Sequence, residues 1–110
     1  MGGAVMSTRE RLPDRRPHEL RDFEFAGIRY TAGVGHFGDG SPGEIFLNPI
    51  GKVGTDLDAH ARDAAITASL CLQHGPLAPL RKALTRTGNG GPGSALSYIL
   101  DQLAAKAPAP

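Results

Sequence analysis

The most informative shortage in this chain of 110 residues is that of cysteine, because Cys71 is the only one. A single cysteine excludes a disulfide framework or a thiol pair within the chain. Tryptophan is absent, and four Phe and two Tyr leave a core that relies on aliphatic side chains and alanine. No apolar run approaches the roughly 20 residues of a membrane span, and none resembles the core of a signal peptide. These absences predict a cytoplasmic protein with no membrane partner.

The chain also lacks an excess of charge of one sign, since its formal net charge is +1. This balance argues against nucleic acid as the main partner, whether bound specifically or not. The four histidines are scattered along the chain, and no serine–histidine–aspartate set, paired carboxylates or metal-ligand spacing stands out. We therefore predict no catalytic, cofactor-binding or metal-binding residue.

Composition divides the chain into three parts. Residues 1–22 carry five arginines around two prolines and few large apolar side chains, which predicts a flexible arginine-rich arm. This arm is either a solvated tail or a segment that orders on a partner. Residues 23–103 form a single domain, and residues 104–110 form a disordered Ala/Pro tail.

The domain begins with three predicted strands. Phe23 to Phe25 and Ile28 to Val34 alternate apolar and polar residues on either side of a tight turn at Ala26-Gly27, which indicates a β-hairpin. Glu44 to Asn48 forms the third strand after a cluster of turn residues. Gly33 and Gly35 mark a β-bulge or a close approach of the backbone.

The rest of the domain is predicted to be helical. A long helix begins near Thr55 or Asp56 and ends before Gly75, which suits a left-handed C-terminal cap. Two further helices follow, and together the elements predict an α+β fold with a three-stranded antiparallel sheet and two or three helices packed on one face. The predicted inner face of the long helix consists mainly of small side chains, so the helix should approach its neighbours closely. The residues of this face are Leu57, Ala61, Ala64, Ala65, Ala68, Cys71 and Leu72. Cys71 is accordingly predicted to be a buried structural thiol.

A glycine-rich loop before the last helix has two possible readings. Backbone N–H groups at a helix N-terminus next to cations suit a phosphate or nucleotide, and the residues concerned are Arg81, Arg86, Gly90, Gly91, Gly93 and Ser94. The loop matches neither a P-loop nor a dinucleotide-binding fingerprint, so a flexible connector over residues 88–94 is the favoured interpretation.

Several segments carry a resemblance to a known family: Gly43-Glu44-Ile45-Phe46-Leu47-Asn48, Ala61-Arg62-Asp63-Ala64-Ala65, Ser69-Leu70-Cys71-Leu72-Gln73-His74-Gly75 and Arg81-Lys82-Ala83-Leu84. With them, roughly Leu12 to Leu103 resembles the C-terminal TSCPD domain of adenosylcobalamin-dependent (class II) ribonucleotide reductases. Leu12 to Pro17 also looks like the start of small stand-alone TSCPD proteins. One departure is that Gly75 meets Pro76 directly, where the family usually has a further apolar residue.

The resemblance implies a link to deoxyribonucleotide synthesis without catalysis, because the family's thiyl-radical chemistry needs a radical cysteine and a reducing cysteine pair. The family's cobalamin-binding residues lie outside the matched region, so no cofactor is expected. We predict an accessory or regulatory module whose partner is a ribonucleotide reductase or another replication protein. The chain itself is predicted to be either a monomer or a homodimer that pairs through exposed edge strands. The predicted partner-binding residues are Arg11, Arg15, Arg16, Arg62 and Lys82. Nucleotide or phosphate binding at the glycine loop is the alternative function.

Overall fold

A computed structural model describes residues 8–105 of the chain. Its elements follow one another as three strands and three helices: β1 (His18–Phe25), β2 (Ile28–His36), β3 (Pro42–Pro49), α1 (Asp56–His74), α2 (Leu77–Ala83) and α3 (Ala95–Ala105). The strands form one antiparallel sheet in the order β1-β2-β3, with the helices after them in sequence. The predicted α+β fold is confirmed.

The hairpin turn of the sheet lies where the sequence predicts it. Ala26 and Gly27 have φ angles of 53° and 80°, the left-handed conformation that a two-residue turn between twisted strands requires. The pairing of β2 with β3 shifts register between Gly35 and His36, which confirms the predicted irregularity. β1 is longer than predicted because it begins at His18, whose backbone pairs with Gly35 rather than lying in a mobile arm.

The core lies between the inner face of the sheet and helices α1 and α3. Tyr30, Ala32 and Val34 of β2 are buried as predicted. Tyr98 of α3 stacks on Phe23 of β1, with 4.8 Å between ring centroids. The remaining buried hydrophobic residues of the core cluster are Ile45, Leu47, Ala61, Ala65, Ala68, Leu72, Ala95, Leu96, Ile99, Leu100 and Leu103.

The prediction that Cys71 is buried was wrong, because the thiol belongs to an exposed residue. The buried stripe of α1 runs through Ala61, Ala65, Ala68 and Leu72. Each residue of an α-helix is rotated by about 100° from the last, so Cys71 turns away from the sheet. Two polar residues that the apolar pattern passed over, Asp58 and Gln73, are buried on α1 instead. The other two positions of the predicted stripe, Leu57 and Ala64, are half-buried.

The N-terminal cap of α1 agrees with the sequence prediction, whereas the C-terminal cap does not. Thr55 caps the N-terminus, since its side chain accepts the N–H of Asp58 at 3.3 Å. Gly75 was wrongly predicted to be left-handed: its φ of −174° and ψ of −179° are extended. Pro76 explains this conformation, because a proline restricts the preceding residue to extended backbone.

The N-terminal segment from Thr8 to Pro17 lies against the domain, contrary to the predicted flexible arm. Its backbone is held by the N–H of Glu10, which donates to the carbonyl of Gln73 at 2.7 Å, and by the carbonyl of Pro17, which accepts from His36 N–H at 2.9 Å. At the other end, α3 continues through Ala104 and Ala105 into the predicted tail. Residues 1–7 and 106–110, on which the rest of the arm and tail predictions fall, lie outside the described residues. Within residues 8–105, none of the helices has both the length and the apolar character that a membrane span needs.

Candidate partner-binding groove

The outer edge of β3 is partly covered by side chains from α1. Ser69 Oγ accepts the N–H of Ile45 at 2.8 Å, and its own proton lies between the carbonyl oxygens of Ile45 at 3.1 Å and Ala65 at 2.8 Å. One helical turn later, Gln73 Nε2 donates to the carbonyl of Gly43 at 2.9 Å. The outward-facing N–H and C=O of Ile45 and the carbonyl of Gly43 are therefore satisfied.

The cover ends at Leu47. Backbone groups of an antiparallel strand alternate between its two neighbours, so Leu47, two residues after Ile45, also points its N–H and C=O away from β2. No residue in the described part of the chain hydrogen-bonds to this pair of groups. Pro49 has no N–H, and its carbonyl accepts the N–H of Lys52 at 3.4 Å. The free edge of β3 is thus one residue long.

An apolar groove of about 340 Å³ runs beside this free edge, between β3 and α1. Ile66 and Leu70, one helical turn apart on α1, form its floor together with Ala65 and are 59% and 43% exposed. These two branched aliphatic side chains are therefore not part of the core that α1 otherwise helps to form. An apolar floor beside an unpaired strand edge can take an extended segment of another chain.

The N-terminal segment forms a second, polar groove that shares Arg9, Glu44 and Gln73 with the first. Arg9 Nε donates to the Gln73 side-chain oxygen at 2.5 Å. Arg16 makes a two-pronged ion pair with Glu44, at 2.7 Å and 3.0 Å. The hydrogen bond to Glu44 raises the pKa of the Arg16 guanidinium.

The electrostatic balance of the two grooves is positive. Their lining contains four arginines and one glutamate: Arg9, Arg11, Arg16, Arg62 and Glu44. Arg16 neutralises Glu44, and Arg62 makes one contact with a carboxylate, from its Nε to Asp58 Oδ1 at 3.2 Å. Within residues 8–105, no carboxylate pairs with Arg9 or Arg11. The grooves therefore suit a ligand that is apolar along one stretch and acidic at its ends.

The structure brings together three of the five residues predicted to bind a partner, because Arg11, Arg16 and Arg62 all line these grooves. Arg15 and Lys82 do not line either groove. The sequence analysis missed Arg9, Ile66, Leu70 and Gln73. The spacing of Arg62, Ile66, Leu70 and Gln73, every three or four residues, does mark a second helix face, but the sequence alone does not show that this face meets a strand edge.

The residues of the predicted phosphate site are engaged with one another. Arg86 holds Asp101 through two contacts of 2.7 Å and 2.8 Å, and Arg81 Nε adds a third at 2.9 Å. The hydrogen bond from Arg86, with the smaller contribution of Arg81, lowers the pKa of Asp101 to about 2. Both cations thus face a carboxylate of α3.

The glycine loop is a hydrogen-bonded turn rather than the flexible connector that was favoured from the sequence. Arg86 and Pro92 form an isolated antiparallel bridge. The N–H groups of Gly90, Gly91 and Gly93 each donate at 3.0 Å to acceptors on Thr87 or Thr85. Ser94 Oγ accepts the N–H of Ser97 at 3.1 Å and so occupies the cap of α3. This geometry does not favour a phosphate cradle, and nucleotide binding there stays a prediction.

Metal ligation finds no support in the described ranges, because residues 8–105 contain no group of three or more His, Cys, Asp and Glu that could hold an ion. His36 lies 3.0 Å from Glu19 Oε1 and 3.0 Å from the carbonyl of Gly40. His60 lies 3.6 Å from Asp56, one turn back on the exposed side of α1. Glu19 also accepts hydrogen bonds from Arg21, and neither histidine contact belongs to a group of three ligand-type side chains among the described residues.

Comparison with known proteins gives one consistent relationship. The chain is 38% identical over 84 residues to a vitamin B12-dependent ribonucleotide reductase of Agrobacterium fabrum and 37% identical over 84 residues to one of Bradyrhizobium diazoefficiens. Each match covers 76% of this chain but only 6% and 7%, respectively, of the reductases. No protein-family model and no solved structure matches the chain. The chain is therefore related to a short segment of vitamin B12-dependent ribonucleotide reductases.

Proposed function

We propose that this chain is a non-catalytic accessory or regulatory module of deoxyribonucleotide synthesis that acts by binding a protein. The observation that carries the proposal is the positively charged groove beside Leu47, which has an apolar floor and an unpaired strand edge. The relationship to ribonucleotide reductases supports a reductase, or another replication protein, as the partner. We place this activity in the cytoplasm.

The cysteine content supports a role without catalysis. The resemblance to the reductase family implies thiyl-radical chemistry that needs three cysteines, and this chain contains one. Cys71 lies on the exposed side of α1, and its position does not face either groove. The grooves are lined by arginines and aliphatic side chains, which suit binding rather than proton transfer or nucleophilic attack.

We further propose that the module is a monomer when it is not bound to its partner. Ser69 and Gln73 cover the edge of β3 at Ile45 and Gly43, so that two copies could not pair along the full strand. The other edge strand, β1, carries charges that discourage strand pairing, namely Glu19, Arg21, Asp22 and Glu24. Light scattering over a range of protein concentrations tests this, and a dimer at micromolar concentration would contradict it.

The function is tested by titrating the purified chain into the vitamin B12-dependent ribonucleotide reductase of the same organism. We expect a complex by analytical ultracentrifugation and a changed rate of deoxynucleotide formation, with no formation by the chain alone. If neither the reductase nor the replication proteins purified alongside it form a complex with the chain, the proposal is wrong.

A further inference from the structure

The groove between β3 and α1 has a chemistry that specifies what it binds. We propose that it takes an extended, acidic and aliphatic segment of a partner protein, which pairs its backbone with Leu47 and places a branched apolar side chain on Ile66 and Leu70. The inference rests on the proposed function, for which it names the chemistry of the segment that is recognised.

The apolar part of the argument comes from exposure and size. Ile66 is 59% exposed and Leu70 is 43% exposed, and they lie one turn apart in a groove of about 340 Å³. This volume lies at the lower end of the roughly 300–1,000 Å³ typical of ligand pockets, which is enough to take an aliphatic side chain of a partner. Covering these aliphatic surfaces removes apolar area from water, which drives association.

The extended backbone of the segment follows from the free edge of β3. Ser69 closes the edge at Ile45, and Pro49 has no N–H to offer, so only Leu47 can exchange both hydrogen bonds with an incoming strand. A segment that pairs there has one register available, because the neighbouring positions are already satisfied or lack a donor. Ser69 thus acts as a stop that sets how far the segment can extend along β3.

The arginines of the two grooves indicate that the bound segment has acidic residues at its ends. Arg62 lines the apolar groove, Arg9 lines both grooves, and Arg11 stands on the wall of the adjoining one, while Glu44 is bound to Arg16. Carboxylates of the segment would find guanidinium groups at these positions and form charge-assisted hydrogen bonds. A nucleic acid would satisfy the arginines but would leave Ile66 and Leu70 without an apolar partner, so the observations favour a peptide.

The experiment is a selection of random linear peptides displayed on phage against the whole chain, with two variants as counter-targets. Ile66→Asp removes the floor, and the double variant Arg9→Glu with Arg62→Glu reverses the charge. Val53→Asp, at a residue that is 82% exposed in the loop before α1, is the matched control for a new surface carboxylate. All these positions are exposed, and thermal melts check that each variant is folded, above all the double variant, because Arg62 contacts the buried Asp58.

We expect selected peptides to combine a branched aliphatic residue with flanking acids. They should bind the Ile66→Asp protein and the charge-reversed protein about tenfold or more weakly, and the control unchanged. Hydrogen exchange adds a readout that simple filling of the groove would not move, because pairing must slow exchange of the Leu47 amide.

Three results would overturn the inference: no enriched peptides, enriched peptides that bind both variants as well as the parent, or a single-stranded oligonucleotide that shifts the amides of Ile66 and Leu70 where acidic peptides do not. The outcome separates from that of the proposed function. A reductase complex that survives Ile66→Asp leaves the function standing without this groove, whereas peptide selection without any reductase complex leaves the groove standing without that partner.

Discussion

Ser69 Oγ and the backbone of Ile45 satisfy each other across the gap between α1 and β3, at 2.8 Å from the amide nitrogen and 3.1 Å from the carbonyl oxygen. A helix side chain here takes the place of a fourth strand. The pair fixes the helix to the sheet and decides which part of the β3 edge is open.

Replacing Ser69 with alanine should destabilise the domain and lengthen its free edge. Leaving the N–H and C=O of Ile45 unpaired costs about 1–3 kcal/mol in unfolding free energy. Urea denaturation measures the loss, and light scattering should detect new self-association through the exposed edge. Thr67→Ala is the control, because Thr67 Oγ1 donates at 2.9 Å only to the carbonyl of Asp63 in its own helix. If the two variants unfolded alike, the bond to Ile45 would contribute nothing.

Replacing Ser97 with alanine should stabilise the domain. Ser97 is completely buried in α3, and its hydroxyl has no hydrogen-bond partner among the described residues. Removing an unsatisfied buried hydroxyl should raise the unfolding free energy by about 1 kcal/mol. Ser94→Ala gives the opposite comparison, since it removes the cap of the same helix and should cost about 1 kcal/mol. Thermal melts that rank Ser97→Ala below the parent would contradict this assignment.

Asp101 should make the unfolding free energy of the domain depend on pH in the acid range. The Arg86 guanidinium, with Arg81, holds the pKa of Asp101 at about 2 in the folded protein, below its ordinary value of 3.8. A depressed carboxyl pKa contributes stability that is present above 3.8 and is lost as the pH falls toward 2. Allowing for solvent screening of this partly exposed group, the contribution is about 1 kcal/mol.

The measurement is the difference in unfolding free energy between the parent and Asp101→Asn as the pH is lowered through this window. The difference should shrink as the pH falls from 3.8 to about 2. Taking the difference cancels the titration of the other carboxylates. A difference that stays constant with pH would show that the arginines do not hold Asp101 in solution.

Cys71 should react with a thiol reagent in the folded state. The residue is exposed on α1, so labelling should proceed without unfolding and at a rate close to that of the urea-unfolded chain. Cys71→Ser should change the unfolding free energy by no more than about 0.5 kcal/mol, because the new hydroxyl meets water. Labelling that required denaturant would restore the buried thiol predicted from the sequence.

Local sequence patterns predicted the strands and helices of this fold well. They could not predict which residues of different elements contact one another. The alternation of Tyr30, Ala32 and Val34, and the Ala26-Gly27 turn, are short-range features that period and turn chemistry identify. Cys71 was misplaced because one residue along a helix separates the inner face from solvent, and a stripe of alanines does not define that face sharply. Gly75 was misassigned because the restriction from Pro76 outweighs the general preference of glycine for a left-handed cap.

The candidate groove shows a stronger limit. Gln73 and Arg9 lie 64 positions apart in sequence, yet they share a hydrogen bond at the junction of the two grooves. The sequence around either residue does not predict this contact, because it depends on how α1 crosses β3. Arg11, Arg16 and Arg62, which the sequence analysis predicted to bind a partner, do line the grooves, and their role in binding stays a prediction. The aliphatic floor could be identified only once Ile66 and Leu70 were seen to face away from the core.

The helix α2 differs from its neighbours in how its order is maintained. It is seven residues long, none of them is buried, and Pro76 at its start makes no capping hydrogen bond. A helix this short has no intrinsic stability in water, so α2 depends on partial packing and on the bond from Arg81 to Asp101. It should therefore be the first segment of the domain to open by local unfolding, well before the sheet does. Because α2 lies apart from the β3 groove, such opening would expose the Leu77 to Ala83 backbone to proteases while leaving the binding surface assembled.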